Sequence, residues 1–162
     1  RQVGCFHHAH AMKMSCGVVY DESEDRFAVY FENQIEELIH HLRRLELVVG
    51  FNIIRFDYKV LSAYSTFDFL SLPTYDILAE VHRVLGFRLS LDHLAQATLN
   101  EVKSGSGLDA LRWWQQGEIE KIVDYCRRDV RLTRDLYRFV RGNDYLLYRN
   151  ASGEKFRIPM TE

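Results

Sequence analysis

Two carboxylates and a phenol are the side chains of this sequence whose types and spacing suit catalysis. Tyr125 stands four residues before Asp129 in a helical segment, so both side chains lie on one helix face, one turn apart. Asp57 begins another helix shortly after the apolar run from Leu45 to Phe51. Carboxylates and a phenol brought together from separate elements are the groups that metal-assisted hydrolysis of a phosphodiester needs.

Each of these residues also has a purely structural explanation. An aspartate in the first turn of a helix interacts favourably with the helix dipole, which would account for Asp57. An isolated tyrosine four residues before an aspartate is a weak pattern, and such a tyrosine can extend to solvent from a half-exposed turn. The apolar stripe that follows favours a function, because a carboxylate turned toward the core needs a partner such as a divalent cation. The stripe consists of Tyr125, Asp129, Leu132, Leu136 and Phe139.

The wider motifs resemble those of DEDD-type 3′→5′ exonucleases of the tyrosine subclass. Residues 125–130 read Tyr-Cys-Arg-Arg-Asp-Val, which is similar to the Tyr-Cys-x-x-Asp-Val motif of these enzymes. Their second motif, which follows a strand, is matched here by Asn52, Phe56, Asp57 and Leu61. The resemblance runs from about Lys13 to Arg141. It extends to the proofreading exonuclease domain of family B DNA polymerases and implies a ribonuclease H-like (DnaQ-like) fold.

The resemblance implies an enzyme that hydrolyses phosphodiester bonds at the 3′ end of single-stranded nucleic acid, DNA in preference to RNA. It implies two Mg²⁺ or Mn²⁺ ions, which stabilise the attacking and leaving oxygens. Asp129 would hold the ion on the nucleophile side, Asp57 would help to hold the second ion, and Tyr125 would orient the attacking water. The expected metal ligands are thus Asp57 and Asp129, and the expected catalytic residues are these two and Tyr125.

Asn52, Phe56 and Lys103 are the candidate substrate-binding residues. Asn52 and Phe56 belong to the second motif, and Lys103 adjoins a Gly/Ser loop at residues 104–107 that could approach a phosphate. A solvated lysine on a flexible loop is the alternative for Lys103. The last helix also carries a row of basic residues that could follow a phosphate backbone, although a solvated helix face is the more ordinary explanation. The row consists of Arg127, Arg131, Arg134, Arg138 and Arg141.

One motif of the family is missing. These exonucleases also need an Asp-x-Glu pair on their first strand, and the sequence contains none. Two strands are predicted before the first helix, where the ribonuclease H-like fold has three, and residues 1–11 do not look like a strand that carries two acids. We therefore expect that the first strand and the acidic pair are both missing from this sequence and would lie upstream of Arg1. A chain without the pair is expected to bind metal weakly and to turn over little substrate.

The missing pair leaves a second function open. A non-catalytic module would keep the fold and bind single-stranded nucleic acid, or a helicase or polymerase partner, without cutting. A structural or interaction domain, in which all these acids are surface charges, is a third possibility. Trp113, Trp114 and Phe51 could stack on bases, although core packing is the more common role for each of them.

Composition limits the classes of protein further. The chain has 162 residues, of which 47% are hydrophobic, as expected for one globular domain over residues 1–162. Its net charge of −2 excludes a strong non-specific nucleic-acid binder, whose affinity comes from basic residues. Apolar runs are too short to span a bilayer. The three cysteines form no CxxC motif, which indicates a reduced, cytoplasmic location.

The periodicity of apolar residues predicts an α/β domain of three layers, with a mixed central sheet flanked by helices. A hairpin is predicted from Lys13 to Tyr20 and from Arg26 to Phe31, a buried strand from Leu47 to Phe51, and a terminal hairpin from Tyr145 to Met160. A long helix is predicted from Glu118 to Arg141. Shorter helices are predicted from Phe56 to Tyr64, from Tyr75 to Leu85 with Gly86 as its stop, and after Ser90 as N-cap.

Overall fold

A mixed sheet forms the centre of the protein. The structure is a computed structural model that describes residues 3–10, 14–102 and 107–162, with the side chains of residues 3–6, 16–102 and 109–162. Within these ranges, five strands form one sheet in the order β3-β2-β1-β4-β5. β1 and β3 run antiparallel to β2, whereas β4 runs parallel to β1 and β5. The strands are β1 (Val3–His10), β2 (Met14–Asp21), β3 (Arg26–Phe31), β4 (Leu47–Gly50) and β5 (Thr74–Asp76).

The expectation that the first strand is missing is wrong. β1 (Val3–His10) lies at the centre of the sheet, between β2 and β4. Val3 and Cys5 pack into the core on one face of the sheet, and Phe6 packs into the core on the other. A strand that is buried on both faces lacks the polar alternation that reveals a strand in a sequence. β1 contains no aspartate or glutamate, so the acidic pair does not occur on it.

Helices cover both faces of this sheet and produce the three predicted layers. On one face, α1 (Ile35–Arg44) and α2 (Tyr58–Ser62) bury their apolar sides. On the other face lie α3 (Ile77–Leu85), α4 (Leu91–Leu99) and α6 (Ile119–Asn143). The predicted α/β fold with a mixed sheet flanked by helices is confirmed.

The helix boundaries differ from the prediction where a strand and a cap adjoin. The sequence predicts a helix from Tyr75, but Tyr75 belongs to β5, and α3 begins at Ile77 after the N-cap Asp76. Gly86 ends α3 in a left-handed conformation with φ 79°, and Ser90 caps α4. Both of these helix signals are confirmed.

The C-terminal part of the chain contains two helices, α5 (Gly107–Gln115) and the longer α6, and a second sheet of two strands. The predicted terminal hairpin is present as β6 (Tyr145–Arg149) and β7 (Lys155–Pro159). The hairpin buries Leu146 and Ile158 in the core beneath α6. None of the helices in the described ranges has the length and apolar composition to cross a membrane.

Candidate active site

The turn after β4 positions Asp57. β4 ends at Gly50, and Asn52 then adopts a left-handed conformation with φ 61° and ψ 27°, which asparagine tolerates better than most residues. Ile53–Asp57 forms a single π-helical turn, a geometry that is frequent at functional sites. Asp57 at its end is only 1% exposed. A carboxylate that is buried this completely requires compensating groups around it.

The neighbouring strand holds this turn through Asp76. The Asp76 carboxylate accepts the backbone N–H of Asn52 at 2.8 Å and that of Ile54 at 3.1 Å. It also accepts the backbone N–H groups of Leu78 and Ala79 as the N-cap of α3. Hydrogen bonds to a charged acceptor are the stronger ones. Asp76 is therefore a positioning residue for the turn that carries the second-motif carboxylate.

α6 directs the residues of the Tyr-Cys-x-x-Asp motif toward the sheet. Cys126 is fully buried, and Asp129 is 9% exposed. The next stripe residues, Leu132 and Leu136, are buried in the same core region. Packing of these leucines fixes the rotation of α6 about its axis, so the motif carboxylate points inward rather than to solvent.

The carboxylates of Asp57 and Asp129 both affect the pKa of the Cys126 thiol. The pKa of this thiol is raised well above its ordinary value, first by burial, then by contact with the Cys16 thiol on β2, and then by the negative charges of Asp129 and Asp57. Asp57 and Asp129, from different elements, therefore lie within electrostatic range of the same buried sulfur, whereas their roles in catalysis stay a prediction.

Tyr125 lies one turn before Asp129 and is half-buried. Burial, followed by the negative charges of Asp129 and Asp92, raises the pKa of the Tyr125 phenol to about 12. Its ring meets the Trp113 ring edge-on, with the ring centroids 6.0 Å apart. The hydroxyl group therefore remains protonated at neutral pH and can donate a hydrogen bond, as the orienting role predicts.

Arg128 is a charged neighbour of this site to which the sequence reasoning gave no role. Its Nη2 atom donates to Asp92 at 3.0 Å and to the Val102 carbonyl at 2.9 Å. Its Nη1 atom lies 3.6 Å from Oδ1 of Asp129. The signal was present in the sequence, because Arg128 follows Tyr125 by three residues and a helix places such residues side by side.

The three predicted substrate-binding residues differ in their surroundings and in whether the structure describes them. Asn52 borders a separate cavity of about 270 Å³, and its side-chain oxygen accepts a hydrogen bond from Arg88 at 3.1 Å. Phe56 directly precedes Asp57 and is 43% exposed, so its ring is accessible to a ligand. Lys103 lies outside the described residues. Substrate binding by any of the three remains a prediction.

A comparison with protein families identifies the superfamily. A family model named RNase_H_2, described as RNase_H superfamily, matches residues 6–141. The chain belongs to this family. The match includes the turn that carries Asp57 and the Tyr-Cys-x-x-Asp motif on α6, and it confirms the predicted ribonuclease H-like fold. Membership of the tyrosine subclass of exonucleases stays a prediction.

A solved structure shares the RNase_H-type fold of this chain. It is the structure of the family B DNA polymerase from the hyperthermophilic archaeon Pyrobaculum calidifontis, with a TM-score of 0.67 and 15% sequence identity. The similarity covers 86% of this chain and 24% of that chain, so the chain corresponds to a minor part of the polymerase. At this identity the likeness concerns the fold alone. A search of curated proteins gives no match.

RNase_H superfamily nucleases use divalent metal ions, and the donors of this chain match that chemistry in part. Carboxylate oxygens are the donors that Mg²⁺ and Mn²⁺ prefer, and Asp57 and Asp129 supply two buried carboxylates. Among the side chains that the structure describes, however, no group of three or more His, Cys, Asp or Glu residues could hold an ion. Asp57 and Asp129 are thus suitable ligands, but the described residues do not complete a two-ion site.

Proposed function

We propose that the protein is a metal-dependent 3′→5′ exonuclease that acts on single-stranded nucleic acid, DNA in preference to RNA. One observation carries the proposal: Asp57 and Asp129, which stand at the two motif positions of the resemblance, are both buried carboxylates, and Tyr125 stands one helical turn before Asp129 on α6. Family membership supports it, because enzymes of the RNase_H superfamily are generally hydrolytic nucleases. The direction of cleavage and the substrate are part of the proposal.

The protein's own residues would contribute orientation and charge. The protonated Tyr125 hydroxyl would donate a hydrogen bond to the attacking water or to a phosphate oxygen. Arg128, whose guanidinium is 3.6 Å from the Asp129 carboxylate, would offset part of the negative charge of the two carboxylates. Divalent ions, when bound to Asp57, Asp129 and further ligands, would supply Lewis acidity toward the phosphate.

A non-catalytic module is the second candidate, and a specific observation favours it. β1 (Val3–His10) occupies the central position of the sheet and contains no acidic residue, so the described residues offer two of the four carboxylates that give the DEDD class its name. A domain of this kind would bind single-stranded nucleic acid, or a helicase or polymerase, without hydrolysis. Its surface would be the same as that of the exonuclease.

The two candidates are separated by a cleavage assay. Purified protein is incubated with a 5′-labelled single-stranded oligonucleotide over a range of Mn²⁺ concentrations, beside Asp129→Asn and Asp144→Asn variants. Asp144 is an exposed residue at the other end of α6, and asparagine suits its left-handed backbone, so this variant controls for loss of a charge from the same helix.

The exonuclease proposal expects products that shorten from the 3′ end. We expect the Asp129→Asn variant to lose activity by a factor on the order of 10² or more, because a metal ligand that stabilises transition-state charge is lost, and Asp144→Asn to cut like the wild type. An oligonucleotide that stays intact at every Mn²⁺ concentration contradicts the proposal. Retained oligonucleotide binding in that case favours the non-catalytic module.

A further inference from the structure

A cavity of about 560 Å³ opens between α5 and α6, beside Tyr125. Among the described residues, its walls are Asp109, Arg112 and Trp113 from α5, and Lys121, Asp124, Tyr125 and Arg128 from α6, so three cations stand against two carboxylates. Cavities of roughly 300–1,000 Å³ are the usual size for small organic ligands, a range that includes a nucleotide. We call this cavity, with these seven residues, the α5–α6 groove.

The groove combines aromatic rings with cations. The edge-on pair of Trp113 and Tyr125 forms an aromatic wall, and the side chains of Arg112 and Lys121 stand at its opening, each 59% exposed. Single-strand binding sites pair a basic groove that follows the backbone with aromatic rings on which bases stack. The chemistry of the groove therefore suits a base and its phosphate better than a neutral apolar ligand.

The cations at the opening are available to an anion. Arg112 is paired with Asp109 at 3.2 Å and Lys121 with Glu118 at 2.9 Å, each within one helical turn. Such exposed pairs contribute little to stability, so a phosphate can replace the carboxylate at little cost. Deeper in the groove, Arg128 is held by Asp92, the Val102 carbonyl and Asp129, so it adds positive charge to the groove but is not one of the available cations.

Three arginines of the basic row on α6 contact β2 and the turn after it. The guanidinium of Arg134 lies over the Tyr20 ring at 4.7 Å, and Arg138 donates to the Tyr20 hydroxyl at 3.1 Å. Arg141 lies 3.3 Å from Glu22. These arginines attach α6 to β2 and its following turn, so the prediction that they follow a phosphate backbone receives no support from their contacts.

We infer that the α5–α6 groove holds the 3′-terminal nucleotides of a single strand, with a base against Trp113 and backbone phosphates at Arg112 and Lys121. The inference rests on the proposed function, because it takes Tyr125 as the end of the groove where the scissile phosphate lies. It adds the residues that hold the strand and the side from which the strand enters.

Equilibrium binding without divalent ions tests the groove separately from cleavage. The probe is a 5′-fluorescein-labelled dT10 strand in EDTA, followed by fluorescence anisotropy at several salt concentrations. The variants are Arg112→Ala and Lys121→Ala, singly and together. Arg83→Ala is a matched control, because Arg83 is 60% exposed on α3 and pairs with Glu80 at 2.9 Å within one turn, much as Arg112 pairs with Asp109.

Each groove variant is expected to raise Kd by a factor on the order of ten, since a charge-assisted contact to phosphate is lost. The magnitude of the slope of log K against log salt should fall by about 0.7 for each contact removed, and by twice that in the double variant. Arg83→Ala should leave Kd and slope unchanged. A merely structural role for Arg112 or Lys121 would not move the salt slope.

The outcomes distinguish this inference from the proposed function. If the protein cuts but the groove variants bind and cut like the wild type, the inference about the groove is wrong and the proposed exonuclease activity is supported. If dT10 binds through Arg112 and Lys121 but is never cut, the inference about the groove is supported and the proposed exonuclease activity is wrong. If dT10 does not bind at low salt, the groove inference is overturned, and an acidic partner protein becomes the better candidate for this surface.

Discussion

The backbone N–H of Asn52 donates a hydrogen bond to the carboxylate of Asp76 at 2.8 Å. The two residues are 24 positions apart, at the ends of the adjacent parallel strands β4 and β5. The carboxyl ends of parallel strands meet at one edge of a sheet, which is where α/β domains commonly build their sites. Through this bond, β5 determines the path of the chain that leads to Asp57.

We expect Asp76→Ala to disturb both stability and activity. Four backbone N–H groups lose their acceptor, so the free energy of unfolding should fall by about 2–4 kcal/mol. The cleavage rate of the folded protein should fall as well, because the turn that carries Asp57 is released. Urea denaturation and the oligonucleotide assay measure the two effects.

The matched variant for this prediction is Ser90→Ala. Ser90 caps α4. Removal of its hydroxyl should lower the free energy of unfolding by about 1 kcal/mol and should not change the cleavage rate. If both variants cut at the wild-type rate once folded, Asp76 is an ordinary helix cap and does not position the site.

Gly50 is a second residue on which the turn depends. A Cβ atom at Gly50 would overlap the side chain of Ile53, which is fully buried. Gly50→Ala should therefore lower stability by about 1–3 kcal/mol through overpacking and displace the π-helical turn. In an Ile53→Ala background the cost of Gly50→Ala should shrink, and this coupling can be measured with a double-mutant cycle.

Gly142→Ala is the control for the loss of a glycine. A Cβ atom at Gly142, near the end of α6, would meet nothing within 4 Å, and alanine is favoured over glycine in a helix by about 1 kcal/mol. We expect this variant to be at least as stable as the wild type. Equal destabilisation by both substitutions would refute the steric explanation for Gly50.

The elements that follow local rules could be predicted from the sequence. The stripe on α6 steps by three and four residues, and its burial fixes the inward direction of Asp129. Gly86 and Ser90 act through their own backbone or side chain within one turn. The signals for these features lie within a few positions of the feature itself.

The remaining features depend on contacts between distant residues. β1 is a central strand that is buried on both faces and therefore has no alternating pattern. The turn before Asp57 is held by Asp76, and Arg134 and Arg138 pack on Tyr20, more than a hundred residues earlier. A single sequence contains no local signal for such pairs, so it could suggest Asp57 and Tyr125 but not the surroundings of either.

A buried hydrogen-bond network at the end of β2 predicts a pH dependence of stability. The Asp21 carboxylate accepts hydrogen bonds from His41 Nε2 at 2.9 Å and from the Ser23 hydroxyl at 2.7 Å, while the Tyr30 hydroxyl contacts His41 Nδ1 at 2.8 Å. Burial alone would raise the pKa of Asp21, but the hydrogen bonds from Ser23 and His41 outweigh burial and lower it.

A carboxyl group whose pKa is lowered by folding stabilises the protein above its unfolded pKa of about 3.9, and this contribution is lost as the pH falls through the folded pKa. We expect Asp21→Asn to be less stable than the wild type by about 1–3 kcal/mol at pH 6. The difference should narrow below pH 4. Urea denaturation from pH 3 to 7 measures it, with Asp144→Asn as an exposed control, and a pH-independent difference would contradict the assignment.

Tyr125→Phe isolates the phenol hydroxyl from the packing of the ring. The ring would keep its edge-on contact with Trp113, so melting temperature and Kd for dT10 should change little. The cleavage rate should fall by a factor on the order of 10², the usual effect of losing one donor in an active site. Tyr148→Phe, a partly buried tyrosine of β6, is the matched control and should retain full activity.

The pH profile gives an independent test of the same role. Because the pKa of Tyr125 is raised to about 12, the hydroxyl stays protonated throughout the range from pH 7 to 10. Wild type and Tyr125→Phe should therefore have activity profiles of the same shape, displaced by a constant factor. A wild-type activity that rises with an inflection near the ordinary tyrosine pKa of about 10, absent from Tyr125→Phe, would show that the ionised phenol is the active form and would exclude its role as a hydrogen-bond donor.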